Sequence, residues 1–277
     1  MVSINSNYAA TFAAKAAKQT TSELNSAMEK LSTGKRINYA RDDAAGQAIS
    51  VRLTAEIQGL AMASRNASDG QAMIDTAEGA LMETQALLLR MRELAVQSSN
   101  GTLAGADRAA LEKEASSLEA EITRIADTSS WAGQMLLDGS LSDGITFQAG
   151  TKAGTANLIT VSIGEMSATA ATVDIGAQSV GTFTDAQAAI TKIDAALSGV
   201  SEVRGKLGGI SNRLNSTIAN MDQVRVNLSA SQGRIEDADF ATETGNLAKN
   251  QILQQAATAM IAQANSSKSS VLNLLRG

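Results

Sequence analysis

The sequence contains no proline, no cysteine and no histidine among its 277 residues. Average usage of about 5% would give about fourteen prolines, so their absence favours long helices without kinks. Without cysteine and histidine the chain lacks disulfides, a thiol nucleophile, the usual zinc ligands and the usual general base at neutral pH. These absences argue against an enzyme, and we expect no cofactor and no metal site.

The scarcity of aromatic residues, long apolar runs and positive charge disfavours further functional classes. Aromatic residues make up 3% of the chain, so its core must come from Ala, Leu, Ile, Val and Met, which suit packed helices. No apolar run approaches the roughly 18 residues of a membrane-spanning helix, so we expect no membrane insertion. A net charge of −5 gives little support for a nucleic-acid partner. Residues 1–7 lack the pattern of a cleavable secretory signal, and composition alone predicts a cytoplasmic protein.

A seven-residue repeat of apolar positions runs from Ala186 to Leu228. It predicts a continuous helix of about 65 Å with an apolar seam on one side. Four glycines between residues 199 and 209 each lower helicity by up to about 1 kcal/mol relative to alanine. A lone helix of this kind would be unstable, so the seam must be buried against another long helix.

Two further helices carry matching seams. One is predicted to begin after Asp42-Asp43, whose carboxylates can cap it, and to end at Asn100-Gly101. Another is predicted from about Asp107 to Asp127. The predicted seam residues of the three helices are Ile74, Leu81, Leu88, Met91, Leu111, Leu118, Ile122, Ile193, Val200, Leu207, Ile210, Leu214, Met221 and Leu228.

Residues 138–183 differ in composition, with seven glycines and alternating runs at 145–149 and 158–163. These runs predict two or more strands at one end of the bundle. The predicted fold is therefore mainly α, a long-helix coiled-coil bundle with paired terminal helices and a small β-hairpin element in the central region.

The first helix, predicted from Tyr8 to about Leu31, and the last, after the charged junction 234–239, are rich in alanine. The first has a thin apolar face at Phe12, Ala16, Leu24, Met28 and Leu31. Two thin helices bury too little to offset chain entropy of about 1–2 kcal/mol per residue. We expect them to pair with each other, to be loose in a free subunit and to become ordered by self-association. The predicted subunit contacts are Phe12, Leu24, Met28, Leu31, Leu253, Met260, Val271, Leu274 and Leu275.

Several segments resemble bacterial flagellin. The family's N-terminal signature is similar to Leu-Ser-Thr-Gly-Lys-Arg-Ile-Asn at 31–38 followed by Asp-Asp-Ala-Ala-Gly at 42–46. Arg-Met-Arg-Glu-Leu-Ala-Val-Gln at 90–97 is similar to a following segment. Arg-Ile-Glu-Asp-Ala-Asp-Phe-Ala-Thr-Glu at 234–243 and Ile-Leu-Gln-Gln-Ala at 252–256 resemble the C-terminal region. The resemblance covers roughly 1–137 and 184–277. Where the family commonly has an aromatic-Asn-Gly turn, this chain has Trp131-Ala132-Gly133, so the turn is expected to differ.

The resemblance implies a structural subunit that self-assembles into the flagellar filament used for swimming, secreted unfolded through the flagellar type III apparatus and extracellular in its final place. It implies an inner filament layer from 1–42 and 237–277, an outer layer from 43–137 and 184–236, and a short variable β-containing region at 138–183. It also implies an export chaperone, the filament cap and hook-filament junction proteins as partners. By position, Arg90, Leu94 and Glu114 resemble a surface read by an animal flagellin receptor, and residues 29–49 resemble a peptide read by a plant receptor.

Two charged clusters have competing interpretations. A divalent-cation or acid–base site could be formed by Asp42-Asp43 and by Glu236, Asp237 and Asp239. Because the chain has no histidine and no calcium-loop pattern, we favour helix capping and ion pairs at the junction. The basic residues Lys35, Arg36 and Arg41 are expected to pair with the 236–239 junction or with a neighbouring subunit.

Three alternative classes remain at this stage. A hook-filament junction protein should lack the close matches at 90–97 and 252–256. A signalling coiled coil would need a sensor or membrane segment. An enzyme would need a residue set that we cannot name.

Overall fold

The computed structural model describes residues 6–176 and 178–276, and side chains as far as residue 267. Within these ranges the chain forms five α-helices and two short antiparallel strand pairs, which confirms the predicted mainly α fold with a β-hairpin element. The helices are α1 (Tyr8–Thr33), α2 (Ala44–Ser98), α3 (Gly105–Thr128), α4 (Phe183–Glu236) and α5 (Phe240–Arg276). The strands are β1 (Ser130–Trp131), β2 (Gln134–Met135), β3 (Ile145–Gln148) and β4 (Leu158–Val161). Among the described residues, no helix is both long and apolar enough to cross a membrane.

The helix ends follow their local sequence. Helix α1 stops where Gly34 adopts a left-handed conformation with φ of 69°, which glycine reaches without strain. Helix α2 begins after Asp43, whose carboxylate accepts a hydrogen bond from the Gly46 amide at 2.8 Å. The predicted cap at the acid pair is therefore present.

The chain divides into two compact units, and the division falls within α2 and α4. Unit 1 comprises the residues up to Ala55 and those from Asn227 onward, and unit 2 comprises Glu56–Val226. Residues 138–183 form no unit of their own and belong to unit 2. The predicted layers, bounded at 42/43 and 236/237, describe a filament and stay a prediction.

In unit 2, α2 and α4 run antiparallel and are joined by polar pairs beside their seams. Arg92 binds Asp194 at 2.7 Å, Arg204 binds Glu78 at 2.6 Å, and Gln71 donates to Ser211 at 2.8 Å. On α2 these residues are spaced by seven or by twice seven, so they follow the same repeat as the seam. Flanking pairs of this kind set the register of two helices.

The seam of α4 is buried most completely in its first half. Every predicted position from Ala186 to Val200 is buried, whereas beyond it burial recurs only every seventh residue, at Leu207, Leu214 and Met221. The intervening Ile210 is half-buried. The first half therefore packs against more of unit 2 than the second half does.

The central residues of unit 2 supply this extra packing. Strands β3 and β4 pair in register from Ile145 opposite Val161 to Gln148 opposite Leu158, which confirms the predicted hairpin. The segment that follows β4 buries Ile163, Met166, Val173, Ile175 and Val180. The central region is therefore part of the core of unit 2.

A second hairpin, β1–β2, was not predicted. Its two turn residues, Ala132 and Gly133, both have positive φ, at 49° and 85°. This is the backbone of a two-residue hairpin turn, which favours asparagine at the first position. The turn forms here with alanine in that place, so the change of residue does not abolish it.

Two glycines of α4 should respond oppositely to alanine. A Cβ at Gly199 would lie 2.6 Å from the Thr172 carbonyl oxygen, whereas a Cβ at Gly208 would meet nothing within 4 Å. We expect Gly199→Ala to lower the free energy of unfolding by about 1–3 kcal/mol through overpacking, and Gly208→Ala to raise it by up to about 1 kcal/mol through helix propensity. Urea unfolding of the two variants measures both effects, and a shift of the same sign in both would contradict the packing described.

Candidate assembly surface on the terminal helices

In unit 1, α1 and α5 pair along their length in antiparallel orientation. The Asn7 side chain, which caps α1, also donates to the Ala264 carbonyl at 3.2 Å. The Gln254 amide donates to Thr21 at 3.3 Å, and Lys30 binds Glu243 at 3.4 Å. These three contacts fix the register, and they confirm that the terminal helices pair with each other.

The inner seam of this pair, which we define as the buried and half-buried positions facing the partner helix, mixes alanines and polar side chains with four large aliphatic ones. On α1 it consists of Ala10, Ala13, Ala17, Thr20, Leu24, Ala27 and Leu31. On α5 it consists of Glu243, Leu247, Asn250, Gln254, Ala257, Ile261 and Ala264. Both sets alternate steps of three and four, as a coiled-coil seam does.

A polar groove of about 260 Å³ opens between the end of α1 and the beginning of α5. Its lining includes Glu23, Lys30, Glu243 and Asn250, and Asn250 is the most buried of the α5 side chains described. Large apolar side chains in the inner seam are limited to Leu24, Leu31, Leu247 and Ile261, which are half-buried, so the hydrophobic stabilisation of the pair is limited.

The aromatic and methionine side chains described on the same helices lie outside, together with Ile252 and Leu253. Phe12 is 77% exposed and Met260 is 63% exposed, and both would be expected in a core if this pair were complete. The outer face, a name we use for these exposed positions on both sides of the pair, consists of Tyr8, Phe12, Met28, Phe240, Ile252, Leu253 and Met260.

The thin apolar face predicted for α1 is thus split between the two sides. Leu24 and Leu31 are half-buried in the inner seam, while Phe12 and Met28 are exposed on the outer face. The prediction followed the largest side chains, whereas the pair closes over the smaller ones at 13, 20 and 27. The seven-residue spacing of those three positions is the signal that could have identified the inner seam.

Of the residues predicted as subunit contacts on α5, Leu253 and Met260 are exposed. The side chains of Val271, Leu274 and Leu275 lie outside the described residues. The contacts that any of these residues make between subunits stay a prediction.

The junction between the helices of unit 1 is closed by an ion pair and by main-chain bonds. Lys35 binds Glu236, the Arg36 amide donates to the Glu236 carbonyl at 2.7 Å, and the Ala238 amide donates to the Gly34 carbonyl at 2.9 Å. The Glu236 carboxylate also accepts from the buried Ser50 hydroxyl at 2.8 Å. The expected pairing of the basic patch with the acidic junction holds for Lys35.

The other two basic residues form ion pairs with the nearby acid pair, and Arg36 also reaches the main chain of the junction. Arg36 lies 3.8 Å from Asp43 and donates to the Ile235 carbonyl at 2.6 Å. Arg41 lies 3.9 Å from Asp42, and its guanidinium stacks 4.4 Å from the centre of the Tyr39 ring. Short separation along the chain makes the nearby acid pair the more accessible partner for Arg41.

The Glu236 carboxyl gives the junction a defined pH dependence. Hydrogen bonds from Lys35 and Ser50 hold the pKa of Glu236 below its ordinary value. Because this pKa is lower in the folded state, the stabilisation is present above the unfolded value of about 4.3 and is lost as pH falls through the folded value.

We expect Glu236→Gln to weaken the junction by about 1 kcal/mol at neutral pH and to remove this acid dependence. Hydrogen exchange of the Arg36 and Ala238 amides, measured against pH, reads the junction locally. Glu202→Gln is the matched control, because Glu202 pairs with Lys206 on an exposed helix surface and should not alter those amides. Equal exchange in both variants would mean that the ion pair does not hold the junction.

The predicted seam residues are all withdrawn from solvent to some degree. Ten are buried, namely Ile74, Leu81, Leu88, Met91, Ile122, Ile193, Val200, Leu207, Leu214 and Met221. Four are half-buried, namely Leu111, Leu118, Ile210 and Leu228.

The predicted receptor surface is only partly a surface. Arg90 and Glu114 are exposed and form an ion pair of 2.7 Å between α2 and α3. Leu94, by contrast, is 1% exposed and lies in the core of unit 2. Its placement among surface residues was wrong, because the helix turns Leu94 toward the seam residues Met91 and Ala95.

The acidic residues considered for a cation site have other partners. Asp42 accepts from the Asn38 and Tyr39 amides, and Asp239 accepts from the Ala241 amide at the start of α5. These bonds lower the pKa of both carboxyls, with the Tyr39 amide as the largest cause for Asp42 and the Thr242 hydroxyl for Asp239. In the part of the chain that the structure describes, no group of three metal-binding side chains converges.

Comparison with known families and proteins gives the same picture over nearly the whole chain. Residues 4–142 match the family model described as "Bacterial flagellin N-terminal helical region", and residues 190–275 match "Bacterial flagellin C-terminal helical region". The flagellin of Halalkalibacterium halodurans is 48% identical over 90% of this chain and 91% of its own length. The flagellin of Bacillus subtilis is 41% identical with the same coverage of both chains.

The fold is also found in a solved structure. A putative flagellar hook-associated protein from Vibrio parahaemolyticus superposes with a TM-score of 0.60 over 71% of this chain and 100% of its own. Its sequence identity of 17% makes this a likeness of fold alone.

A long-helix bundle with helical termini that expose their large apolar side chains defines a class of self-associating structural subunits. The chain belongs to the bacterial flagellin family. It is therefore a structural subunit of the flagellar filament, extracellular and not an enzyme, as the resemblance implied. The cytoplasmic location that composition alone predicts is wrong.

Proposed function

We propose that the outer face of the terminal helix pair is the surface through which copies of this chain join in the filament. The observation that carries the proposal is that α1 and α5 bury mostly small and polar residues against each other and expose Phe12 and Met260. In a free molecule these side chains face water. Burying one fully would contribute about 1.5–3 kcal/mol, so a second copy supplies what the pair lacks.

The polar inner seam supports the same reading. A pair with Asn250 and Gln254 inside is specified in register but weakly stabilised by hydrophobic burial. The terminal helices then depend on neighbouring subunits for most of their stability. We therefore retain the proposal that they are loose in a free subunit and ordered on assembly.

The layers of the filament follow from this assignment. The terminal pair, 1–42 and 237–277, forms the inner layer, and the helix bundle, 43–137 and 184–236, lies outside it with 138–183 as its short variable part. Sequence resemblance supports these boundaries. Within unit 2 the buried central residues favour a bundle with no separate outer domain.

Seeded polymerisation tests the proposal directly. Purified subunits are added to short filament fragments, and elongation is followed by electron microscopy and light scattering. We expect filaments of uniform diameter, together with strong protection of α1 and α5 amides in the filament compared with the free subunit. Filaments in which the α1 and α5 amides exchange as fast as in free subunits would contradict the proposed surface.

The partners implied by resemblance belong to this proposal as well. They are the flagellar type III export apparatus, through which the unfolded chain passes, an export chaperone, the filament cap and the hook-filament junction proteins. A chain without cysteine forms no disulfide that could obstruct such a passage.

Detection by host receptors also remains a proposal. The proposed animal-receptor surface on α2 and α3 consists of the exposed ion pair of Arg90 and Glu114. Leu94 is buried, so it would affect recognition only by supporting the packing of α2. Residues 29–49 are the candidate peptide for a plant receptor. A receptor reporter assay that stays silent with purified monomer would remove the animal-receptor assignment.

A further inference from the structure

The methionines are the side chains of this protein most open to mild oxidation. The chain has ten methionines and no cysteine, so thioethers take the place of thiols as targets of peroxides. Among those with described side chains, Met73, Met91, Met166 and Met221 are buried, and Met28, Met62, Met82, Met135 and Met260 are exposed.

Two of the exposed methionines lie on the terminal helices. Met28 of α1 is 45% exposed, and Met260 of α5 is 63% exposed, and both belong to the outer face. The contacts of Asn7 with Ala264 and of Thr21 with Gln254 set a register that brings Met260 level with Phe12. Met62, Met82 and Met135 lie in unit 2.

We propose that Met28 and Met260 are modification sites at which a peroxide prevents a free subunit from joining the filament. The inference rests on the assembly surface proposed above. The thioether sulfur attacks one peroxide oxygen and the O–O bond breaks. The sulfur is oxidised to a sulfoxide, and hydrogen peroxide is reduced to one molecule of water.

The chemical consequence follows from where the two sulfurs lie. A sulfoxide is a strong acceptor, whereas a thioether is apolar and adapts its shape to a packed interface. Met260 is level with Phe12, so burial there would strip water from the sulfoxide oxygen beside an apolar ring. A polar group buried without a hydrogen-bond partner opposes burial of the whole surface.

The same geometry predicts an asymmetry between the two states of the protein. In the free subunit both sulfurs are accessible, and peroxide reaches them. In the filament the outer face is covered, so both sulfurs are shielded and an assembled filament resists the damage. Oxidation therefore acts on subunits that have not yet joined.

Incorporation of a partly oxidised pool of wild-type subunits tests the inference. Subunits are treated briefly with hydrogen peroxide, the peroxide is removed with catalase, and the pool is allowed to elongate unoxidised seeds. Peptide mass spectrometry then compares the sulfoxide content of each methionine in filaments and in the remaining free pool. We expect sulfoxide at Met28 and at Met260 to be about tenfold depleted in the filaments, and sulfoxide at Met135 to be equal in both.

Two variants provide a second measurement. M28L/M260L and M135L are each compared with their own untreated sample, so their basal rates need not agree with each other. Peroxide should reduce the elongation of M135L as it does that of the wild type, and should leave M28L/M260L at its untreated rate. Methionine sulfoxide reductases should restore the treated wild type.

Equal incorporation of subunits oxidised at Met28 and at Met260 would overturn the inference, as would equal loss of elongation in M28L/M260L. Failure of the proposed function is distinguished by the untreated wild type. If untreated subunits do not elongate seeds, the assembly surface itself is wrong. If they do and oxidised subunits add equally well, only the role of the two methionines is wrong.

Discussion

Phe12→Asp is expected to abolish filament growth while leaving the free subunit folded. Phe12 is 77% exposed in the structure, so the substitution removes no packing from the single chain. In the filament it would lose about 1.5–3 kcal/mol of apolar burial and add the cost of desolvating a carboxylate. The subunit concentration needed for elongation should rise by more than about 100-fold.

The measurement is seeded elongation at several subunit concentrations, with circular dichroism to confirm that helix content is unchanged. Ala153→Asp is the matched control, because residue 153 is also exposed but lies in the loop between β3 and β4. It adds the same charge to the chain away from the terminal helices. Normal elongation by Phe12→Asp, or an equal loss in Ala153→Asp, would show that the outer face does not carry assembly.

Leu88→Pro should break the helix bundle itself. Leu88 lies in the interior of α2 with 0% exposure, and proline there removes a helical hydrogen bond, clashes with the preceding turn and leaves a seam position badly filled. Breaking the helix alone lowers the free energy of unfolding by about 3 kcal/mol or more. We expect both helix content and assembly to be lost. Leu214→Pro, at the corresponding seam of α4, should behave alike.

Gly105→Pro is the control that distinguishes the effect of introducing a proline from the effect of breaking a helix. Gly105 is the first residue of α3, and Ala104 before it already has the extended conformation that a following proline requires, with ψ of 159°. Stability and assembly should remain close to wild type. A stable bundle in Leu88→Pro would show that α2 is not the continuous helix described.

The long helices could be predicted because each one carries its own repeat. Apolar residues at steps of three and four identify a buried stripe without knowledge of the partner, and Leu81, Leu88 and Leu214 are buried accordingly. The absence of proline gave the same answer independently. The long helices of unit 2 can therefore be predicted from their local pattern and from one pairing of apolar seams.

The central region could be predicted only in part. Alternation revealed β3 and β4, but nothing local revealed that Val173 and Ile175 would be buried against the bundle. The turn at Ala132 was harder still, since alanine rarely adopts positive φ and the surrounding fold stabilises the conformation. Tertiary packing decides such segments.

The inner seam of the terminal pair was the least accessible to prediction, although Phe12, Met28, Leu253 and Met260, predicted as subunit contacts, are exposed on the outer face. A helix with exposed large apolar residues such as Phe12 and Met28, and with small residues at seven-residue spacing on one side, offers more than one candidate seam, and hydrophobicity alone does not select the one that the pair uses. Phe12 and Ala13 are neighbours in sequence, yet only Ala13 is buried within the subunit. Which seam closes within the chain depends on how closely two backbones approach, and sequence alone does not give that distance.

The polar contacts inside the terminal pair select one register of α1 against α5 within each subunit. A slip of seven residues along α5 would place Lys30 opposite Asn250 instead of Glu243 and leave both the charge and the Gln254 amide without their partners. A seam made only of apolar side chains would tolerate that slip, because no specific hydrogen bond or ion pair would be lost. Each copy therefore holds its outer side chains in the same arrangement, which a polymer of identical contacts requires.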